Sequence, residues 1–397
     1  MLNALHVCKL ERELREELDN ANAQVAKGVK FFWNPVEYAK DTGAKYIEEF
    51  NINSPKQLKW LLSKAVGKQL DSTDAATIDA LTSQADNFPE HTKELLTGIA
   101  RTRKASKYLD TYVVAMQRVC CKDGRVRGSY LLHGTETGRL SSKDPNMQNI
   151  PRNKHIKKIF MATPGYRLLQ LDYSQAELRV LGVLSGDEFL IQSYKDDKDL
   201  HSNVAQKIFG ENFTKEQRTQ CKTINFGIAY GRGAGAIAEA FHMPKSEAQK
   251  IINDWFNAMP KVRDYILGQR KAARRGERQQ TMFGRVRHYV INDSNMFHIE
   301  NEYINTPIQS IASDMTLFSL IEISKWLKES KVDARVVMTV HDSIVLEVRD
   351  DDSLVKEVAR ECQRIMATTP QQYIKDCPLP FKADAESGYT YGALEEV

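Results

Sequence analysis

The chain has 397 residues, a formal net charge of +4, 42% hydrophobic residues and 27% charged ones. That is the composition of a soluble globular protein of two or three domains, or of one large domain with subdomains, and it excludes a chain too small to bury a substantial core. The net charge is too small to argue for a nucleic-acid partner, so only its distribution along the chain can. Six cysteines, at 8, 120, 121, 221, 362 and 377, form no CxxC pair and no cluster of zinc spacing, and reduced thiols in a cytosolic compartment are expected. No apolar run approaches 18 residues and no signal-peptide pattern opens the chain, which reads as soluble and intracellular.

Residues 5–30 read as a helix, with Leu5, Leu10, Leu14, Leu18 and Val25 spaced among charges. Residues 44–65 suggest another, interrupted at Asn53–Lys56, where Ser54 can cap and Pro55 suits a first turn, so a new helix begins there. Residues 74–84 and 90–115 are further helices. One basic run comprises Arg101, Arg103, Lys104, Lys107, Arg118, Lys122, Arg125 and Arg127. A second has nine Lys or Arg between Lys261 and Arg287 against two acids, Asp264 and Glu277. Such runs follow a phosphate backbone or form solvated helix faces, and both readings stay open.

From Val126 the texture changes. Gly128–His133 can form a strand, Gly134–Ser142 is loop-like, and Asp144–Pro151 is irregular and rich in hydrogen-bonding side chains. Tyr166–Asp172 predicts a strand, followed by a helix from about Gln175. Residues 187–310 are mostly helical. Within them, Arg218, Lys222, Phe226 and Tyr230 recur every four residues, which places them on one slowly drifting stripe of a helix. Two cations a turn apart ask for an anion between them, and two rings offer a flat base a packing surface. Asn305 and Gln309 share one face of a helix that begins at about Glu302. Arg335–Val348 predicts a hairpin with Asp342 at its turn, held out from the sheet. The run Asp350–Asp352 reads as solvated loop.

Four of these stretches together resemble the DNA polymerases of family A (bacterial polymerase I-like, phage enzymes included). They are Arg218-x3-Lys222-x7-Tyr230-Gly231, Asp172-Tyr-Ser-Gln-Ala-Glu-Leu-Arg179, Val340-His-Asp-Ser343 and Thr137-Gly-Arg-Leu-Ser-Ser142. The resemblance covers residues 45–397 and is weakest before residue 100. It implies an α+β right-hand polymerase fold, with helical thumb and fingers and a palm with an antiparallel sheet. The divisions it implies are 1–110, thumb and entry to the palm; 111–182, first part of the palm; 183–305, fingers; and 306–397, second part of the palm.

The resemblance also implies roles. Asp172, Asp342 and the Tyr173 carbonyl are expected to bind two Mg²⁺ ions, for which Mn²⁺ can substitute. Chemistry of this kind needs two acids brought together by the fold, with water and substrate phosphates completing the ligands. Arg218, Lys222 and His201 are expected on the triphosphate, with Lys222 also the proton donor to pyrophosphate. Gln175 joins the nucleotide site, Glu177 lies under the sugar where a 2′-hydroxyl would collide, Phe226 is associated with poor dideoxynucleotide acceptance, and Tyr230 stacks near the templating base. Arg139, Asn146, Gln148, Asn149, Arg285, Asn305, Gln309 and His341 are expected on DNA.

Three departures from the family pattern stand out: Ala176 in place of a larger aliphatic residue, Ser343 where many members carry Glu, and Asn301 where many carry Arg. The expected activity is templated addition of deoxynucleotides to a primer 3′ end by a monomer on primer-template DNA. The setting is a bacterial or phage-infected cytoplasm or an organelle. The family's exonuclease acids have no counterpart here, so no proofreading is expected within this chain, which reads as a compact phage-like enzyme or a fragment. A phage-type RNA polymerase also carries His-Asp-Ser, but Glu177 and Phe226 speak against it. An inactive DNA-binding module would not need Asp172, Asp342, Arg218 and Lys222 together.

Overall fold

A computed structural model describes every residue except His242 and Asp293. The chain divides into two units, residues 1–127 with 150–160, and residues 128–149 with 161–397.

The first unit is helical: α1 (Ala4–Phe32), α2 (Pro35–Thr42), α3 (Pro55–Val66), α4 (Ala75–Ser83) and α5 (Glu90–Lys107). A π-helical stretch, Tyr108–Val114, carries α5 on into α6 (Ala115–Val119), and α7 (Lys154–Lys157) is a single turn. Its core is Leu58, Leu61, Leu62, Leu95, Leu96 and Ile99, all fully buried, closed by Trp33, Tyr38 and Trp60 packed edge to face. Helices α1 and α5 approach closely because Gly28 and Gly98 carry no side chain; a Cβ on Gly28 would stand 2.7 Å from Leu95 Cβ. The expected caps hold at Ser54, which accepts from Gln57 N, with Pro55 in the first turn. The helix expected from residue 44 does not form. Instead α2 precedes it, capped by Asn34 with Pro35 in its first turn and ended by Gly43 at φ 67°. The Asn34-Pro35 pair carries the same start signal as Ser54-Pro55, and the missing element was legible there.

The second unit is built on a five-stranded antiparallel sheet. In chain order it comprises β1 (Ser129–Leu131), β2 (Ser141–Lys143), β3 (Tyr166–Tyr173), α8 (Ala176–Ser185), α9 (Glu188–Lys195), α10 (Leu200–Phe209), α11 (Lys215–Ala229), α12 (Ala234–Ala240), α13 (Lys245–Ala258), α14 (Pro260–Arg275), β4 (Gln279–Gln280), β5 (Val286–Arg287), α15 (Met296–Ser330), β6 (Ala334–Val340), β7 (Ser343–Arg349), α16 (Asp352–Tyr373), β8 (Ala383–Thr390) and β9 (Ala393–Glu396). The sheet order is β6-β7-β3-β8-β9, with separate pairs β1-β2 and β4-β5. Strand β7 is buried from Ser343 to Val348, as a central strand covered on both faces requires. Helices α15 and α16 cover one of those faces.

Helix α15 starts at Met296, six residues before the expected start, and runs 35 residues through Pro307. The expected division at residue 305 falls inside it. Ser141 and Ser142, read as loop, pair in β2 with Leu131 and Tyr130. Asp350 and Asp352 both pair with Arg167, at 2.5 and 2.7 Å, and Asp351 caps α16 by accepting from Leu354 N. The acidic run is thus consumed in structure.

Candidate active site

The two acids expected at the centre are brought together by strand register. β3 pairs antiparallel with β7, and Asp172 lies opposite Ser343. Asp342 is therefore its neighbour across the ladder, on the two-residue turn His341-Asp342 that joins β6 to β7. His341 sits at φ 53°, the left-handed conformation such a tight turn demands. Asp172 is exposed, whereas Asp342 is half-buried. Asp342 Oδ1 is out of contact with solvent and accepts no hydrogen bond, a costly state for a carboxylate oxygen unless a cation completes it. Arg139 Nη2 stands 4.0 Å from that oxygen and 2.5 Å from Glu177 Oε1, so one guanidinium sits between two acids. Burial pushes the Glu177 carboxyl up; Arg139 opposes this, and Asp342 adds to it.

Among the described residues no group of three His, Cys, Asp or Glu is poised for a metal. Two carboxylates, one with a buried oxygen that accepts no hydrogen bond, fit a hard cation that takes water and phosphate oxygens for its other ligands; they do not fit zinc. Ser343 adds no carboxylate to this set; its hydroxyl donates to Val340 O at 2.8 Å and closes the hairpin.

The residues around Asp172 are anchors. Tyr173 is buried, and its hydroxyl meets Ser319 Oγ at 2.7 Å and donates to Met366 O at 2.6 Å, tying β3 to α15 and α16. Arg179 is also buried; its guanidinium donates to Ser174 O and Pro380 O and lies 4.2 Å over the Tyr194 ring. Gln175 starts α8 in the left-handed region and accepts from the Tyr194 hydroxyl at 3.1 Å. The bend after Asp172 is thereby pinned from three sides, which keeps the strand end rigid.

The stripe on α11 forms as expected, with Thr214 and Gln217 making a capping box at its start. Arg218 is partly exposed, Lys222 exposed, and Phe226 and Tyr230 half-buried. Arg218 Nε donates to Asp199 Oδ2 at 2.7 Å, and Asp199 also caps α10 through Ser202. Although burial raises it, hydrogen bonds from Arg218 and Ser202 prevail and hold the Asp199 carboxyl down at about 2. His201 is buried beside Phe226, their ring centroids 5.9 Å apart, and its Nδ1 meets Asn225 Nδ2 at 2.9 Å.

The residues expected on DNA fall into separate places. Gln148 is buried and clamps the hairpin: its Nε2 donates to Thr339 O at 3.2 Å, and its Oε1 accepts from His341 N at 2.8 Å. The Tyr130 hydroxyl donates to the same Thr339 O. Asn146 is exposed and folds its own loop, its Oδ1 accepting from Gln148 N and Asn149 N; Asn149 is exposed beside it. Arg285 Nη2 pairs with buried Asp314 of α15 at 2.8 Å, and Gly138, which has no side chain, gives the guanidinium room. Asn305 Nδ2 donates to Tyr230 O at 3.3 Å, holding the end of α11, and half-buried Gln309 follows one turn later. Asn301 Oδ1 is buried without a partner above Gly231, whose φ of 77° suits glycine.

Sequence reasoning did not single out Asp199, Asn225, Trp255 or Tyr391 as part of this site. Asp199 had a signal, being an acid before Leu200 at a helix start. Tyr391, buried with its hydroxyl pushed up to about 12 by burial and by the nearby Asp172, had none.

Comparison with known proteins bears on these expectations. The family model described as DNA polymerase family A matches residues 24–393. DNA polymerase I of Caldicellulosiruptor bescii is 35% identical over 341 residues, covering 81% of this chain and 39% of that protein. DNA polymerase I of Pseudomonas aeruginosa is 35% identical over 359 residues, 86% of this chain and 38% of its own. The DNA polymerase of Bacillus phage SP01 is 32% identical over 429 residues, 96% of this chain and 45% of its own. This chain thus spans less than half the length of these curated relatives. Among solved structures, the POL domain of Pol1 from M. smegmatis, in complex with DNA primer-template and dNTP, superposes with a TM-score of 0.81 at 25% identity, covering 99% of this chain and 67% of that one. The α+β right-hand fold expected from the sequence is the fold of that neighbour.

Proposed function

Because the chain belongs to DNA polymerase family A, we propose that it is a DNA-directed DNA polymerase that extends a primer 3′ end with deoxynucleotides. The observation that carries the reading is the pairing of β3 with β7, which sets Asp172 beside Asp342, one of whose oxygens is buried and accepts no hydrogen bond. Asp172, Asp342 and the Tyr173 carbonyl would hold Mg²⁺, two ions as the reaction's chemistry requires. When bound, these supply charge neutralisation at the attacking and leaving oxygens.

The chain's own residues do the rest. Arg218 and Lys222 grip the triphosphate, which takes the place Asp199 now holds on Arg218, and Lys222 gives a proton to the departing pyrophosphate. Glu177 lies under the sugar and Tyr230 packs near the templating base. Arg139, Asn305 and Gln309 meet the minor groove, where acceptors shared by all base pairs let pair shape be checked without reading sequence. Gln148 and His341 act by holding the hairpin turn, and Arg285 by holding α15; Asn146 and Asn149 remain exposed for the DNA backbone. Thumb, palm and fingers are proposed to divide near 110, 182 and 305, the first and last of these lying within continuous helix, Tyr108–Val114 and α15.

The test is extension of a labelled primer on a DNA template with Mg²⁺, offering dNTPs or NTPs separately, beside Asp172→Ala. Extension with dNTPs alone, lost in the variant, is expected. Preference for NTPs would establish an RNA polymerase instead, and duplex binding without any extension would establish an inactive binding module.

A further inference from the structure

Behind the cationic stripe, the inward side of α11 makes a short buried relay. Trp255 Nε1, on α13, donates to Asn225 Oδ1 at 2.7 Å, and Asn225 Nδ2 meets His201 Nδ1 at 2.9 Å. The three side chains are 1%, 1% and 4% exposed, so no water competes for these bonds. An indole nitrogen can only donate. The Asn225 atom it meets is therefore the carbonyl oxygen, which settles which way the amide points. The other end of the amide is the NH₂ group, which also only donates. His201 Nδ1 is then an unprotonated acceptor, and a neutral ring carries its proton on Nε2.

Protonating the ring would set a second N–H at Nδ1 against the amide N–H, donor facing donor in a dry site. The charged groups acting on the ring are Asp199 at the start of α10 and Arg218 and Lys222 on α11; from α13 it is reached by Trp255 through Asn225. Burial is the largest influence and lowers the imidazole pKa; Asp199 opposes it, and the two cations reinforce it. Electrostatics and hydrogen bonding thus agree on a neutral ring.

We propose that Trp255 and Asn225 are positioning residues that lock His201 as a neutral Nε2–H donor, so that it meets the incoming triphosphate by a hydrogen bond and not as a third cation. The tautomer stands on the relay alone; the triphosphate rests on the polymerase reading above. A third cation beside Arg218 and Lys222 would tighten the hold on pyrophosphate as well as on substrate and would make both depend on pH near neutrality. A neutral donor avoids that dependence.

Two measurements test this on the full chain. The first is long-range ¹H–¹⁵N correlation of ¹⁵N-histidine-labelled protein, with His201 identified by its loss in His201→Gln. The expected result is the Nε2–H form, unchanged from about pH 6 to about pH 8, across the range in which an ordinary histidine titrates. An Nδ1–H form, or a wild-type ring that titrates in that range, overturns the proposal. Asn225→Asp, whose carboxylate still accepts from Trp255 but now also accepts from Nδ1–H, should move the proton to Nδ1. Because this readout needs no catalysis, it stands even if the polymerase reading fails.

The second measurement is the nucleotide KM in primer extension. Wild-type KM should be flat over the same pH range. In Asn225→Asp it should rise with pH by about tenfold, the worth of a hydrogen bond to a charged group, with kcat much less affected. His201→Leu should raise KM by about as much, and His201→Gln, which keeps a neutral donor, by less. A locked tautomer with equal KM for Leu and Gln overturns the link to the triphosphate. A locked tautomer in a chain that extends no primer overturns the polymerase reading and leaves the lock.

Discussion

At the scale of single residues, the site depends on charges that the fold holds close together without neutralising fully. Asp342 keeps an oxygen with no hydrogen bond, 4.0 Å from Arg139. Asp342→Asn preserves the size of that side chain and removes its charge. It is expected to lower extension by at least about a hundredfold, as loss of a key electrostatic group does, while duplex affinity in a gel-shift titration stays within about twofold; substantial residual synthesis would remove Asp342 from the metal set.

Glu177 is buried and held by Arg139 at 2.5 Å, so its position is set before any sugar arrives. Glu177→Ala opens space for a 2′-hydroxyl, and the ratio of ribonucleotide to deoxynucleotide incorporation should rise by about tenfold or more, within the range one group's bulk commands in a pocket. Glu177→Gln, equal in shape, should leave the ratio near wild type. If Gln releases selectivity as fully as Ala, charge and not bulk is the gate.

At the scale of elements, α11 is useful because its two faces do different work. The outer stripe carries Arg218 and Lys222, while Cys221, Ile224, Asn225 and Ile228 are buried. The periodicity of the stripe was legible in the sequence, since four-residue spacing is a local property of a helix. What Arg218 touches was not, because Asp199 belongs to another helix and reaches it only through packing. The Arg218 and Asp199 side chains are 43% and 34% exposed, and a pair that open to water is worth about 0–1 kcal/mol. Asp199→Asn retains a capping oxygen for α10 and weakens the hold on Arg218. The dNTP KM should fall, by up to about fivefold. A rise would mean that Asp199 aims Arg218 at the phosphates and does not compete with them.

The hairpin of β6 and β7 shows the same division. Two runs of β-forming residues around His-Asp-Ser announced two strands and a turn, whereas the clamp by Gln148, nearly two hundred residues earlier, could not be read from either segment. Ser343 is instructive too: its identity ruled out a second carboxylate, and only the fold showed its hydroxyl turned back to Val340 O.

At the scale of the whole molecule, the two units have separate cores, one helical around Leu58, Leu61 and Leu95, the other around the five-stranded sheet and α15. Leu61 is fully buried. Leu61→Ala leaves a cavity in the first unit and should cost about 2–5 kcal/mol there, reported in denaturant titration by the fluorescence of Trp33 and Trp60, the two tryptophans of that unit. An unchanged midpoint would show that the site collapses around the smaller side chain. No helix among the described residues is long and apolar enough to cross a membrane, as the absence of long apolar runs foretold.

The sequence by itself determined the class of the fold, the starts of α1, α3, α4, α5 and α8 to within about a residue, the hairpin, the stripe on α11 and the family, because each rests on short-range spacing or on motifs that keep their order along the chain. It also held the start of α2, in Asn34-Pro35. The tertiary structure alone decided the strand register that sets Asp172 beside Asp342, that Arg139 stands between Glu177 and Asp342, that Asp199 occupies Arg218, and that Trp255 orients Asn225 toward His201. Those facts join residues tens to hundreds of positions apart. Strand register and helix packing bring such residues together, and neither leaves a local trace in the chain.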